Sequence, residues 1–171
     1  MAEQESKQRQ LTLQKIYIKD MSFESPNSPG IFTSGDVTPK TNMNIRSTHG
    51  GAQNDLHEVV LTITIDTKHE DKTLFLIELQ QAGLFHITGY GPQELEAIVG
   101  SFCPNTLFPY AREVISGIIS KGGFPEFLLQ PINFDALYAE SRRKAQEQAQ
   151  GQQVAGATAP TAGNGGEGSS H

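Results

Sequence analysis

The sequence predicts an α+β fold: a four-stranded antiparallel sheet followed by a long helix and a C-terminal helix. Three observations carry that prediction. Apolar and polar residues alternate through most of the first half of the chain, as they do along half-buried strands. Past Gly89 the alternation stops, and Cys103–Gly123 (CPNTLFPYAREVISGIISKGG) adopts a period near 3.6. The connections between strand segments are too short to hold crossover helices, so the pairing is predominantly antiparallel.

Residues 1–10 are almost entirely polar and are expected to form a disordered arm. Leu11–Glu24 is a strand with Leu11, Leu13, Tyr17, Met21 and Phe23 on one face and Gln14, Asp20, Ser22 and Glu24 on the other. Ile16 and Ile18 blur this pattern, which fits a bend or bulge. Ser25–Gly35 (SPNSPGIFTSG) is a crossover loop carrying Ile31 and Phe32. Two apolar residues in such a loop need a surface to bind, and their own domain is the simplest one. Val37–Arg46 is a weaker strand with Thr38, Lys40, Asn42, Asn44 and Arg46 on its wet face; Pro39 places it at an edge. Ser47–Asp55 reads as a loop. In the clearest strand, His57, Val59, Leu61, Ile63 and Ile65 alternate with Glu58, Val60, Thr62, Thr64 and Asp66. Lys68–Lys72 is a hairpin connection. Thr73–Thr88 completes the sheet, with Phe75, Ile77, Leu79, Phe85 and Ile87 opposite Leu76, Glu78, Gln80 and His86.

Pro92–Val99 reads as a short helix. In the next one Pro109 suits the first helical position, and Gly122 with Gly123 marks the stop. Ala111, Val114, Ile115, Ile118 and Ile119 form its apolar stripe; Arg112, Glu113, Ser116, Gly117 and Ser120 make a thin polar side. Gly117 and Ser120 permit close approach of another backbone. Periodicity alone accommodates a buried core helix and a subunit interface equally. Phe124–Asn133 is an irregular connection, and Asp135–Gln150 is the C-terminal helix. The chain is therefore read as one domain over 11–148, with a disordered Gly/Ala-rich tail over 149–171.

At 171 residues the chain can bury a real core. Its net charge of -6 and pI near 5.3 argue against nucleic acid as a partner, since the one basic cluster is Arg142–Lys144. A basic protein surface is the better electrostatic match. Cys103 is the single cysteine, which rules out an intrachain disulfide and a thiolate cluster. No apolar leader opens the chain and no segment approaches the roughly 18 apolar residues of a membrane span, so a soluble cytoplasmic protein without membrane insertion is expected.

Active-site patterns are missing: there is no GxGxxG, Walker loop, HExxH or GxSxG, and the five histidines show no metal-gathering spacing. Cys103 has no local partner to activate it and reads as an inert thiol. Asp20 and Glu24 share a strand face about 13 Å apart, too far for the roughly 5 to 9.5 Å of a glycosidase pair. With Glu58, Asp66 and Glu78 they make an acidic sheet surface. The acids by themselves fit a solvated face; Leu76 beside Glu78 weighs against that and toward a docking patch. Phe23, Phe32, Phe124, Phe127, Phe134 and Tyr138 lie near loops and element ends; converging, they would line an apolar groove between the crossover loop and the C-terminal region.

The stretches YIKDMSFESPNSP, ELQQAGLFHITG, CPNTLFPYARE and GGFPEFLLQPINFDALY, in this order, closely resemble the SecB family of bacterial protein-export chaperones. The resemblance covers residues 11–140. It implies a homotetramer, a dimer of dimers with the long helix packed between dimers. It also implies that unfolded pre-proteins are held in apolar grooves and delivered to the export ATPase SecA, with no catalysis, metal or nucleotide cofactor. Asp20, Glu24, Leu76 and Glu78 match the family surface that meets the basic, zinc-containing tail of SecA. Phe23, Phe134 and Tyr138 match client-groove positions, and Phe32 belongs to the loop beside them. Val37 stands where many relatives carry Trp, and this chain has no Trp. Ile77, Leu79 and Gln81 match positions whose substitution perturbs assembly; with Ala111, Val114, Gly117 and Ile118 they form the expected oligomer interface. The same fold also admits a module dedicated to one partner, such as an antitoxin.

Overall fold

A computed structural model of the chain describes residues 8–51 and 53–156. Its elements are β1 (Gln10–Glu24), α1 (Gly30–Thr33), β2 (Lys40–Gly50), β3 (Leu56–His69), β4 (Lys72–Thr88), α2 (Pro92–Ala97), α3 (Cys103–Lys121) and α4 (Phe134–Gly156). The four strands form one sheet in the order β1-β4-β3-β2, with every pairing antiparallel. β2, β3 and β4 make a meander, and the crossover loop lets β1 lie beside β4 instead of β2.

β1 corrects the expected face assignment. Its ladder with β4 slips between Leu13 and Lys15 and again between Ile18 and Asp20. Each slip inserts one residue, and one residue flips the face of everything beyond it. Leu11, Leu13, Ile16, Ile18, Met21 and Phe23 are therefore opposite Ile87, Phe85, Gly83, Gln81, Leu79 and Ile77 on the core side. Tyr17, expected among them, pairs with Ala82 on the outer side.

β2 is an edge strand but starts after Pro39 and runs to Gly50. Ser47–Gly50, expected as loop, pairs with Glu58–Leu61. The long apolar β3 supplies a backbone ladder that overrides the weak strand preference of those polar residues.

The core lies between the sheet and α3. Val59, Leu61, Ile63 and Ile65 of β3 and Ile77, Leu79 and Phe85 of β4 are closed off by Cys103, Leu107, Ala111, Ile115 and Ile119, every fourth residue of α3. Leu129 and Phe134 seal one end. Gly83 lets α3 come close, since a Cβ there would stand 2.8 Å from a Leu107 methyl.

The start of α3 is a second correction. A π-helical turn, Ile98–Phe102, joins α2 to α3, so the helical path begins well before Pro109. Pro104 occupies the first turn and Pro109 the interior, where it has no N–H to offer the carbonyl four residues back. The stop at Gly122 and Gly123 is as expected: their N–H groups bond to the Ile118 and Ser120 carbonyls at 2.8 and 3.1 Å, and Gly123 has φ +86. Asn133 Oδ1 accepts the Ala136 N–H at 3.0 Å where α4 begins. α4 continues to Gly156, beyond its expected end.

Of the expected arm, Arg9 is docked against Glu94 at 3.0 Å and over the Tyr90 ring. Residues 1–7 and the tail from 157 lie outside the described residues.

Candidate functional site

The crossover loop does not run free. α1 presents Ile31 and Phe32 to the open end of the core, where they meet Leu74 and Phe75 of β4, the Phe124–Phe127 segment after α3, and Val37 and Pro39 ahead of β2. These residues wall an open, predominantly apolar hollow of about 290 Å³. Four rings give it its shape: Phe124 lies 4.8 Å from Phe75, 5.3 Å from Phe32 and 6.5 Å from Phe23, and Phe23 stacks on Phe75 at 6.2 Å. Such separations are those of favourable aromatic pairs. Phe32 is nonetheless 51 % exposed, so it faces the hollow and solvent together.

The double glycine after α3 is part of this construction. A Cβ on Gly122 would collide with the Phe23 ring, and one on Gly123 would stand 3.2 Å from Phe32. The helix stop therefore also makes room for two rings of the hollow.

The proposed groove residues divide between two places. Phe23, Phe32 and Val37 belong to this hollow or its aromatic wall. Phe134 is buried edge-on against Phe108 at 5.6 Å, and Tyr138 lies on Gly100, where a Cβ would come within 2.5 Å of its ring. They line a separate cleft with Ile98, Phe102 and Ile132. Phe75 and Leu74 were missed as site residues because a strand period assigns Phe75 to the core face without showing that the core is open there.

The other face of the sheet carries the acids. Asp20, Ser22 and Glu24 of β1 stand opposite Gln80, Glu78 and Leu76 of β4, so Asp20, Glu24, Leu76 and Glu78 form one continuous patch. Among the described residues these three carboxylates have no ion pair or hydrogen bond. Their neighbours differ. Asp66 pairs with Lys68 at 3.1 Å, and Glu58 accepts from Lys19 at 2.8 and 2.9 Å and from the Tyr17 hydroxyl. Those hydrogen bonds, Lys19 foremost, hold the Glu58 carboxyl below the ordinary value of 4.5. Burial first, then Glu58, pushes the Tyr17 phenol up to about 12.

The proposed interface residues divide by depth. Ile77, Leu79, Gln81 and Ala111 are buried inside the protomer. Gln81 Nε2 donates to the Tyr17 carbonyl at 3.0 Å beside the second bulge. Val114, Gly117 and Ile118 instead line a shallow open groove with Ile18 and Met21 between α3 and β1.

Cys103 is fully buried, and burial pushes its thiol up to about 12. His49 and His57 stack with Nε2 and Nδ1 2.9 Å apart, and burial followed by the His49 charge lowers His57. The described residues contain no group of three metal-ligating side chains and no helix long and apolar enough to cross a membrane.

A sheet with an open aromatic hollow on its helix-covered side and, among the described residues, three unpaired carboxylates on the other presents two candidate binding surfaces and no candidate catalytic centre. Comparison with known proteins makes the assignment specific: residues 4–146 match the family model "Preprotein translocase subunit SecB", and the chain belongs to the SecB family of protein-export chaperones. It is 51% identical over 148 residues to the protein-export protein SecB of Methylococcus capsulatus, covering 86% of this chain and 95% of that one. It is 52% identical over 142 residues to that of Hahella chejuensis, covering 83% and 89%. Among solved structures, a SecB-like chaperone of Mycobacterium tuberculosis in complex with an antitoxin peptide superposes with a TM-score of 0.56 at 15% identity, covering 71% of this chain and 90% of that one. That likeness is one of fold.

Proposed function

We propose that the chain is a non-enzymatic holdase of the cytoplasm that seats apolar segments of unfolded pre-proteins in the hollow beside Phe32 and hands them to SecA. The observation that carries this reading is the hollow itself: an aromatic-walled opening with a half-exposed phenylalanine on a loop. Burying a client aromatic of about 150 Å² at about 25 cal/mol per Å² contributes roughly 4 kcal/mol before ordering costs. Once those costs are subtracted, one such contact alone gives no better than about millimolar affinity. Several hollows on one oligomer raise the avidity because later contacts are intramolecular. Contacts this weak release their client without nucleotide once a second protein takes over the complex.

The acid patch around Leu76 supports SecA as that second protein. Three carboxylates that meet no cation among the described residues attract a basic surface, and the apolar side chain among them supplies contact area. The open groove of Val114, Gly117, Ile118, Ile18 and Met21 supports assembly into the family's dimer of dimers. Ile77, Leu79, Gln81 and Ala111 then act on assembly indirectly, by shaping the core beneath α3. In the alternative reading, a module dedicated to one antitoxin-like partner, the support is a fold likeness at 15% identity; the relatives at about half identity are export proteins. Purified protein is expected to slow the refolding of a slow-folding precursor and prevent its aggregation, and to retain many unrelated unfolded chains. Failure on both counts, or retention of a single folded partner, contradicts the proposal.

A further inference from the structure

The two walls of the hollow are held in different ways. On the crossover-loop side, Ser25 Oγ donates to the Leu74 carbonyl and Asn27 Nδ2 to the Thr73 carbonyl, both at 2.9 Å. On the other side, Val37 and Pro39 form the wall. Strand pairing begins only at Lys40. Among the described residues, the single polar anchor of residues 35–39 is His69, the last residue of β3. Its Nδ1 lies 3.1 Å from the Thr38 nitrogen and 3.2 Å from the Thr38 oxygen. A neutral ring with its lone pair at Nδ1 accepts the Thr38 N–H; a ring carrying a proton there donates to the Thr38 carbonyl. Either way one imidazole fixes the residue between Val37 and Pro39.

His69 is itself firmly placed. It pairs with Lys72 across the turn at Glu70 and Asp71, at the end of a ladder that continues into the core of the sheet. The tether thus runs from the β3–β4 hairpin to a segment that lies ahead of the β2 ladder and supplies apolar surface to the hollow. Fixing such a segment before a client arrives removes an ordering cost that binding would otherwise bear.

We propose that His69 is a positioning residue for client binding, holding the Val37–Pro39 wall of the hollow in its binding-ready place. The inference rests on the reading of the hollow as the client site, and its test separates the two. The probe is a reduced and carboxymethylated, permanently unfolded polypeptide, whose Kd is measured for the full-length wild type and for Phe32→Ala, His69→Ala, His69→Asn and His69→Gln. Asn places an amide oxygen where Nδ1 sits; Gln carries its amide one carbon too far. His69→Ala and His69→Gln are expected to raise Kd about three- to tenfold, the effect of one hydrogen bond and the order it imposes, and His69→Asn to restore wild-type affinity. Amide exchange at Val37 and Thr38 should quicken in the Ala variant while β3 and β4 keep their protection. A weakened Phe32→Ala beside a full-strength His69→Ala overturns the role of His69 alone, as does an Asn variant no better than Ala. A Phe32→Ala variant that binds as tightly as wild type overturns the reading of the hollow, and this inference with it.

Discussion

Glu58 and Asp66 stand on the same sheet face as Asp20, Glu24 and Glu78, but Lys19 and Lys68 reach the first two, whereas the other three meet no cation among the described residues. Glu58 is the more tightly held, because the Tyr17 ring spans the small Ala82 on β4 to bring its hydroxyl to the carboxylate. The folded state holds the Glu58 carboxyl below 4.5, so its stabilising effect is complete above that pH and fades as the pH falls through the folded value. Glu58→Gln is expected to cost about 1 kcal/mol or less at pH 7, since a partly solvated network is screened. In melts from pH 7 to pH 3, the gap between wild type and variant should shrink below about pH 4.5. A gap that widens on acidification would contradict the assigned sign.

At the scale of elements, α3 serves two surfaces. Every fourth residue from Cys103 to Ile119 enters the protomer core, while Val114, Gly117 and Ile118 open onto the groove beside β1. Periodicity located the apolar stripe but not this division, because one broad stripe can face a sheet and a neighbour at once. A Cβ at Gly117 meets nothing within 4 Å, so no internal packing requires the glycine. Gly117→Leu is accordingly expected to lower the oligomeric state while leaving the subunit folded. Light scattering beside circular dichroism checks this, and an intact tetramer would count against the interface. In β1, the bend or bulge expected from Ile16 and Ile18 is present as two bulges. The apolar positions 11, 13, 16, 18, 21 and 23 are spaced two, three, two, three, two, and each gap of three is an inserted residue. Forcing a single alternation on the run instead put Tyr17 on the wrong face.

Across the whole molecule, the acid patch and the hollow lie on opposite sides of the sheet, with β4 contributing Leu76 and Glu78 to one and Phe75 to the other. Glu78→Lys or Asp20→Ala is therefore expected to weaken SecA binding by about 1 kcal/mol or more with client affinity retained. Raising the salt concentration should mimic the substitution for SecA and spare the client. Titrations of both partners against each variant check this, and equal loss of the two affinities would contradict the separation.

The sequence by itself determined that there are four strands paired antiparallel, the change to helices after Gly89 and the stop at Gly122. All of these are local: a period of two, a period near 3.6, a proline or a glycine acts within a few residues of itself. The tertiary structure decided that Phe32, Phe75 and Phe124 meet at one hollow while Phe134 and Tyr138 line another. It also decided which sheet carboxylates are neutralised and why Gly122 and Gly123 must lack side chains. Those outcomes depend on strand register and on contacts between residues far apart in the chain, where a shift of one position, as at the two bulges of β1, changes which groups can touch.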